Sequence, residues 1–334
     1  MRVVLCEGAG DESVLRITEV PEPPLGPGTV RIRVHAAGVN RADLLQRRGL
    51  YPPPPGVTAI LGLECAGTVM ETAPDVTEWS PGDRVMALLP GGAQAEEVVG
   101  DAGLVLPVPE NLGLVEAAAL PEALATVDLA VFRIGRLRRG ETVLIHGGSG
   151  GVGTIGIQMA RAVGARVVAT AGGAGRCRRC EALGAHRCAD HRRERFEDAV
   201  AEVSGGRGAD VILDIVGAPY LERHVAVAAP GGRIVVIALA GGRRTEIDLA
   251  PLLTRRLSLT GSTLRARPLE ERRRIVREVR RRFLPRVASG RIRPVVSHVL
   301  PVDDVATAHR LMAASEQFGK IVLTFPAGEE RDDG

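Results

Sequence analysis

The chain has 334 residues, 45% hydrophobic and 25% charged, and its 43 basic and 40 acidic side chains leave a net charge of +3. This length accommodates two domains. No apolar run reaches the length of a membrane span, and the apolar start after Met1 lacks the length and cleavage pattern of a secretory signal, so a cytoplasmic protein is expected. Near-balanced charge and 2% aromatic content argue against a nucleic-acid-binding role. Five cysteines, an odd number, suit reduced thiols better than a disulfide framework.

Residues 1–117 read as a β-rich domain. Residues 14–20 and 30–35 alternate apolar and polar side chains, as half-buried strands do, and the proline-rich segment 21–28 separates them. Further strands are expected at 65–71, 84–88 and 93–99. Within 38–56 a short helix is expected after Asn40, then Tyr51, then four consecutive prolines that hold the loop extended.

Residues 118–264 change to alternating helix and strand. A helix over 121–134 precedes an apolar run at 142–145, and strands follow at 166–171, 186–190, 210–216, 233–238 and 257–260. Such βαβα alternation predicts an α/β fold with a doubly wound parallel sheet. The first of these strands runs into His146-Gly-Gly-Ser-Gly-Gly-Val-Gly153, five glycines in seven residues, and then into apolar positions at helical spacing. Gly148, Gly150 and Gly153 supply the G-x-G-x-x-G spacing, in which bare backbone approaches a pyrophosphate at a helix N-terminus.

The second strand of a dinucleotide fold often ends in an acid that takes the ribose hydroxyls. Here it ends in Ala171-Gly-Gly-Ala-Gly-Arg176, with no carboxylate. Arg176 offers a bidentate donor for a 2′-phosphate, which predicts NADP(H) over NAD(H). The alternative is an arginine solvated in the first turn of the next helix. Cys177 and Cys180, with His186, Cys188 and His191 nearby, form one C-x-x-C pair without a second paired cluster, and no metal site is expected. His146 has no Ser or Asp in triad-like position and reads as structural.

Residues 265–334 return to helix and strand. A helix over 268–289 carries Ile275, Val279 and Phe283 at spacing four, a packing face with solvated arginines around it. A strand at 295–300, a helix over 302–314 and a strand at 319–325 then complete the first domain, and 327–334 form a polar, frayed end. Strand 257–260 offers an edge that could pair across a two-fold axis.

Gly38-Val-Asn-Arg-Ala-Asp43, Gly62-Leu-Glu64, Pro81-Gly-Asp-Arg-Val85 and the glycine-rich turn together resemble the zinc-free quinone oxidoreductases of the medium-chain dehydrogenase/reductase superfamily. Segments 40–56 and 87–92 are similar to the subgroup that includes the tumour-suppressor-inducible quinone oxidoreductase. The resemblance implies a GroES-like catalytic domain beside a Rossmann domain, a homodimer, and NADPH-dependent reduction of a quinone in the cleft between the domains. Zinc alcohol dehydrogenases of the superfamily place a cysteine ligand where this chain has Asn40 and a histidine where it has Leu63, so zinc is not expected.

Asn40 and Tyr51 are the implied donors to the acceptor oxygen. Read from the residues alone, Asn40 could instead cap the helix beginning at Arg41, and Tyr51 could be a turn residue lying on proline. For NADPH the resemblance implies Thr126, Gly148, Ser149, Gly150, Gly151, Val152, Gly153, Gly172, Gly173, Arg176, His191, Leu239, Gly241, Gln317, Phe318 and Lys320. His191 stands where the subgroup often has tyrosine. Gly173 and Gly175 replace serine and lysine, leaving Arg176 as the main phosphate contact. Two other readings stay open: an enone or enoyl reductase with Tyr51 as proton donor, and an NADPH-binding structural or RNA-associated protein.

Overall fold

The computed structural model describes residues 1–326, so the expected polar end at 327–334 lies outside the described residues. The chain divides into two compact units. One contains Met1–Glu122, Arg265–Arg280 and the residues from Pro294 onward; the other contains Ala123–Leu264 and Arg281–Arg293.

The first unit opens with β1 (Arg2–Cys6) and β2 (Leu15–Glu19), an antiparallel pair. It continues through β3 (Thr29–Val39), β4 (Glu64–Thr72), β5 (Arg84–Leu88), β6 (Glu97–Asp101) and β7 (Val105–Pro107). In β3, Val30, Ile32 and Val34 are buried and alternate with Arg31 and Arg33, the pattern expected of a strand with one face on a core. The strand runs on to Val39, beyond its expected end. Its last residues, Ala36 to Val39, are small or buried on both faces and therefore carry no alternation to read. The strand expected over 93–99 begins only at Glu97. Gln94 is engaged elsewhere: its carbonyl accepts from Val4 N and its own N–H donates to Leu61 O, both at 2.9 Å.

The second unit holds β8 (Thr142–Ile145), β9 (Arg166–Ala171), β10 (Arg187–Asp190), β11 (Ala209–Asp214), β12 (Ala228–Val236) and β13 (Ser258–Gly261). They form one parallel sheet in the order β10-β9-β8-β11-β12-β13. The expected α/β, doubly wound architecture is borne out. β8 lies between β9 and β11, at the point where the winding reverses and such sheets take their ligands. Leu144, Val168, Phe196, Ile212 and Ile234 belong to the core on one face of the sheet.

The helix expected over 121–134 has two parts. Pro121–Val127 is α-helical, and Asp128–Ile134 widens to a π-helix in which Gly135 N donates to Ala130 O at 2.9 Å. The helix expected over 268–289 is interrupted at Phe283, giving Leu269–Arg282 and Leu284–Ala288. Pro285 accounts for the break, because it has no N–H for the i−4 bond and its ring crowds the preceding turn. Ile275, Val279 and Phe283 are buried, as their spacing predicted, and Phe283 packs on Phe132 with ring centroids 5.1 Å apart.

The chain then forms β14 (Val296–Pro301), the helix Val305–Ala313 and β15 (Lys320–Thr324). β15 pairs antiparallel with Ala36–Val39 of β3, giving the seven-stranded sheet the order β14-β15-β3-β4-β5-β7, with β6 on β3.

Candidate active site

In the second unit the glycine-rich turn sits at the C-terminal end of β8 and feeds the helix Gly151–Ala162. The turn has no room for a side chain at two of its glycines. A Cβ on Gly153 would run into the carbonyl oxygen of Gly147, and one on Gly148 would lie 3.0 Å from Ala169 Cβ and 3.2 Å from Cys180 Sγ. Backbone alone can line such a turn, and the first amides of the helix are free of intrahelical partners there. Gly148 N is held by Thr170 O at 2.8 Å and Gly147 N by Thr170 Oγ1 at 3.3 Å, so β9 fixes the cradle.

At the end of β9 no acid follows Ala171, but one arrives from β10. Asp190 Oδ1 accepts from Gly173 N at 2.9 Å and from Arg192 N at 3.1 Å. These two amides, Gly173 first, hold its carboxyl below the usual range. His191 Nε2 and Arg192 Nε both come within 3.2 Å of where a Cβ on Gly172 would stand. The turn therefore carries Arg192 as well as Arg176, and His191 beside them. Arg192 escaped sequence reasoning because it lies on the β10 loop, two residues past Asp190, and nothing in its spacing ties it to Gly172.

The first unit carries a buried polar cluster. Asn40 stands at the N-cap of the helix Arg41–Arg47, as its capping reading expects, and Asp43 Oδ2 accepts from Asn40 N at 2.7 Å, while the carboxamide of Asn40 turns inward. Asn40 Nδ2 donates to Glu64 Oε1 at 2.9 Å, and Lys320 Nζ donates to both Asn40 Oδ1 and Glu64 Oε1. Glu64 Oε2 accepts from Glu122 N at 2.9 Å. Lys320 is 3% exposed and Glu64 is fully buried. The carboxamide of Asn40, expected to face an acceptor, is thus committed within the unit, and the ammonium of Lys320, expected to face the cofactor, is directed at Glu64. Beside them Asp43 is pushed up to about 6, chiefly by burial.

Tyr51 lies early in the loop between the helix Arg41–Arg47 and β4, just before the four prolines, with its ring half-buried. Among the described residues its phenol makes no hydrogen bond. Arg265 places its guanidinium carbon 5.5 Å from the Tyr51 ring centroid. Burial raises the phenol's pKa, Glu122 raises it further, and Arg265 opposes both.

His146 is structural, in a way its sequence neighbours did not reveal. Its Nε2 lies 2.8 Å from His224 Nε2 and its Nδ1 lies 3.0 Å from Thr170 Oγ1, with Phe196 and Tyr220 packed edge-on. Cys177, Cys180 and Cys188 are buried free thiols, and thiol contacts with Cys180 hold Cys188 strongly on the neutral side. His186 is turned away from them, accepting from Val167 N at 2.9 Å. Among the described residues no group of three or more His, Cys, Asp or Glu is arranged to hold a metal ion.

Residues 26–110 match the family described as alcohol dehydrogenase GroES-like domain, and residues 151–281 match the family described as zinc-binding dehydrogenase. The chain is 36% identical over 248 residues to quinone oxidoreductase-like protein 2 of Mus musculus, which covers 74% of this chain and 71% of that protein. The chain belongs to the medium-chain dehydrogenase/reductase superfamily. Over 325 residues, 95% of its length, it is 35% identical to the phthioceranic/hydroxyphthioceranic acid synthase of Mycobacterium tuberculosis, but it spans only 15% of that synthase. Escherichia coli quinone oxidoreductase complexed with NADPH superimposes with a TM-score of 0.87 at 26% identity, covering 97% of this chain and 100% of that one. An NAD-dependent alcohol dehydrogenase gives a TM-score of 0.84 at 32% identity, covering 97% and 99%.

For this member of the superfamily, most of the residues expected at the cofactor lie in the second unit. Ser149, Gly150, Gly151 and Val152 lie in the glycine turn or the first turn of its helix, and Thr126 lies on the helix Pro121–Val127. Leu239 and Gly241 follow β12; Leu239 is 48% exposed, and a Cβ on Gly241 would meet Pro219 Cγ at 3.0 Å. Gln317 and Phe318 lie in the first unit with Lys320. Phe318 is buried, whereas Gln317 Oε1 is a buried acceptor without a hydrogen bond among the described residues.

Proposed function

We propose that this protein reduces quinones with NADPH and without a metal ion. The observation that carries the proposal is the bonding of Lys320 to Asn40 and Glu64. Where zinc dehydrogenases of the superfamily carry a cysteine and a histidine, this chain has a carboxamide already held by an ammonium, and Leu63, 3% exposed and without a donor atom. A divalent cation there would face a fixed positive charge and find no soft ligand, so these residues do not fit a catalytic zinc. Without that Lewis acid, an acceptor that is already electrophilic is the substrate class best matched to the site.

NADPH fits the residues of the second unit. The turn from Gly147 to Gly153 would take the pyrophosphate, and Arg176 with Arg192 would take the 2′-phosphate. The superposition on an NADPH complex supports this choice. The NAD-dependent neighbour does not outweigh two arginines, because Asp190, the acid that reaches this turn from β10, is engaged by the amides of Gly173 and Arg192. When bound, the cofactor supplies a hydride equivalent. The chain's part is to hold the acceptor and to supply a proton to its oxygen, and Tyr51, whose phenol makes no hydrogen bond among the described residues, is the donor we assign. Asn40 acts from behind, joining Lys320 and Glu64 into one rigid group.

A second reading uses the same phenol: reduction of a carbon–carbon double bond conjugated to a carbonyl, with the proton going to carbon. Steady-state NADPH oxidation against 1,2- and 1,4-quinones and against α,β-unsaturated ketones distinguishes the two. Turnover with quinones supports the first reading, turnover with ketones alone supports the second, and tight NADPH binding without turnover would make this a binding protein. We also propose a homodimer through β13, whose four residues are all exposed on the sheet edge. Free thiols, four of the five buried, suit the cytoplasmic location we propose.

A further inference from the structure

Arg265 is 6% exposed, and burial weighs on its charge more than the attraction of Tyr51, Asp43 and Glu122 offsets. Its Nε donates to Pro90 O, its Nη1 donates to Gln46 Oε1 at 2.9 Å, and its buried Nη2 has no hydrogen-bond partner among the described residues. A guanidinium taken out of water with one nitrogen unpaired is costly, and a packed apolar side chain of similar volume would avoid that cost. Its guanidinium carbon lies 5.5 Å from the centroid of the Tyr51 ring. A cation so placed attracts the negative face of a neutral phenol, and it attracts a phenolate more strongly, because the phenolate's charge spreads into the ring.

We propose that Arg265 is a positioning residue for Tyr51, seating its ring on the proline loop and stabilising the tyrosinate left when Tyr51 passes its proton to the acceptor. The inference deepens the proposed quinone reduction and rests on that reading for its catalytic part. When bound, NADPH would supply the hydride, losing its C4–H bond and leaving NADP+, and the quinone would gain that hydrogen. Tyr51 would supply the proton, its phenolic O–H bond breaking as an O–H bond forms on the quinone oxygen, so that quinol results and water reprotonates the tyrosinate. The charged groups facing the pair are few. Glu122 opposes ionisation of Tyr51 and attracts Arg265, Arg265 favours ionisation of Tyr51, and Asp43 attracts Arg265 from the helix Arg41–Arg47.

The coupling can be read without turnover, because the chain has only two tyrosines, Tyr51 and Tyr220. In a Tyr220→Phe background, tyrosinate absorbance reports Tyr51 alone. Arg265→Met is expected to raise the titration midpoint by about one pH unit or more, a tenfold change in the ionisation constant, while Arg265→Lys, which keeps a cation, moves it less. Circular dichroism across the titration confirms that the fold persists. In the quinone assay Arg265→Met should lower kcat about 10- to 100-fold with little change in the KM for NADPH, and Tyr51→Phe should abolish that sensitivity to residue 265. An unmoved midpoint in Arg265→Met overturns the inference, as does an equal shift in Met and Lys variants. Wild-type protein inactive with every quinone would overturn the functional reading instead, and the titration would still decide the pairing of Arg265 with Tyr51.

Discussion

Lys320, the only lysine in the chain, forms an ion pair with Glu64 across 256 residues of sequence, and both side chains are almost wholly withdrawn from water. A buried pair of this kind adds little over apolar residues of the same volume, but removing one partner strands the other charge. Lys320→Met should therefore lower unfolding free energy by about 3–5 kcal/mol. The double variant Lys320→Met/Glu64→Gln should regain most of that loss. Urea denaturation provides the measurement, and a single-variant loss below about 1 kcal/mol would show that the pair is not desolvated as described.

Stability should fall on acidification from neutral pH. His224 and His309 are fully buried, and burial brings the pKa of each to about 3, while burial first and then His224 hold His146 well below 6.5. A histidine depressed in the folded state binds its proton mainly when unfolded, so its contribution is complete above pH 6.5 and is lost as pH falls towards 3. Each such proton costs about 1.4 kcal/mol per pH unit within the window. Asp43 works in the opposite sense. Its pKa is raised to about 6 from the usual 3.8, so it stabilises the fold as pH falls through that interval. Asp214, raised by burial, acts with Asp43, but three buried histidines against two carboxyls still leave a net loss below about pH 6, and denaturant midpoints that stay level from about pH 7 to 5 would contradict it.

Substituting Gly153 by alanine should impair both the cradle and the fold. The new methyl would meet Gly147 O, a backbone atom that cannot rotate aside. We expect NADPH binding at least about 10-fold weaker by titration calorimetry and a stability loss of about 1–3 kcal/mol. Gly175→Ala provides the contrast. Its Cβ would meet nothing within 4 Å in the helix Ala174–Ala182, and the change should stabilise by up to about 1 kcal/mol.

Charge reversal at the end of β9 tests the phosphate site. Arg192→Glu and Arg176→Glu should each weaken NADPH binding about 10-fold or more while leaving NADH within about threefold. Equal losses for both cofactors would mean that the arginines act on the turn rather than on the phosphate.

The elements most legible in the sequence are those whose burial follows a simple period. Residues 84–88 and 166–171 alternate or run apolar between clear punctuation, and β5 and β9 have those bounds. Legibility fails where the chain is small or doubly buried, as at Ala36 to Val39, and where one proline divides an otherwise continuous amphipathic pattern, as at Pro285. The glycine turn was readable because its chemistry is local. The Asn40 cluster was only half readable: the sequence marks Asn40 as unusual, but its partners arrive from β4 and β15, and the direction of a carboxamide has no sequence period. Arg265 was hidden for the same reason. Among so many arginines, only burial beside Tyr51 distinguishes it.

One edge of β3 is divided between β6, which takes Thr29–Arg33, and β15, which takes Ala36–Val39. During synthesis the second half of that edge must wait for roughly 280 further residues, about 15–60 s at ordinary elongation rates. Throughout that interval the ribosome carries a nascent chain with an apolar strand end open to any passing backbone. The parallel sheet of the second unit is complete in sequence by Gly261, well before β15 emerges. Until β15 is made, residues 36–39 of the first unit therefore keep one strand edge open to wrong pairing.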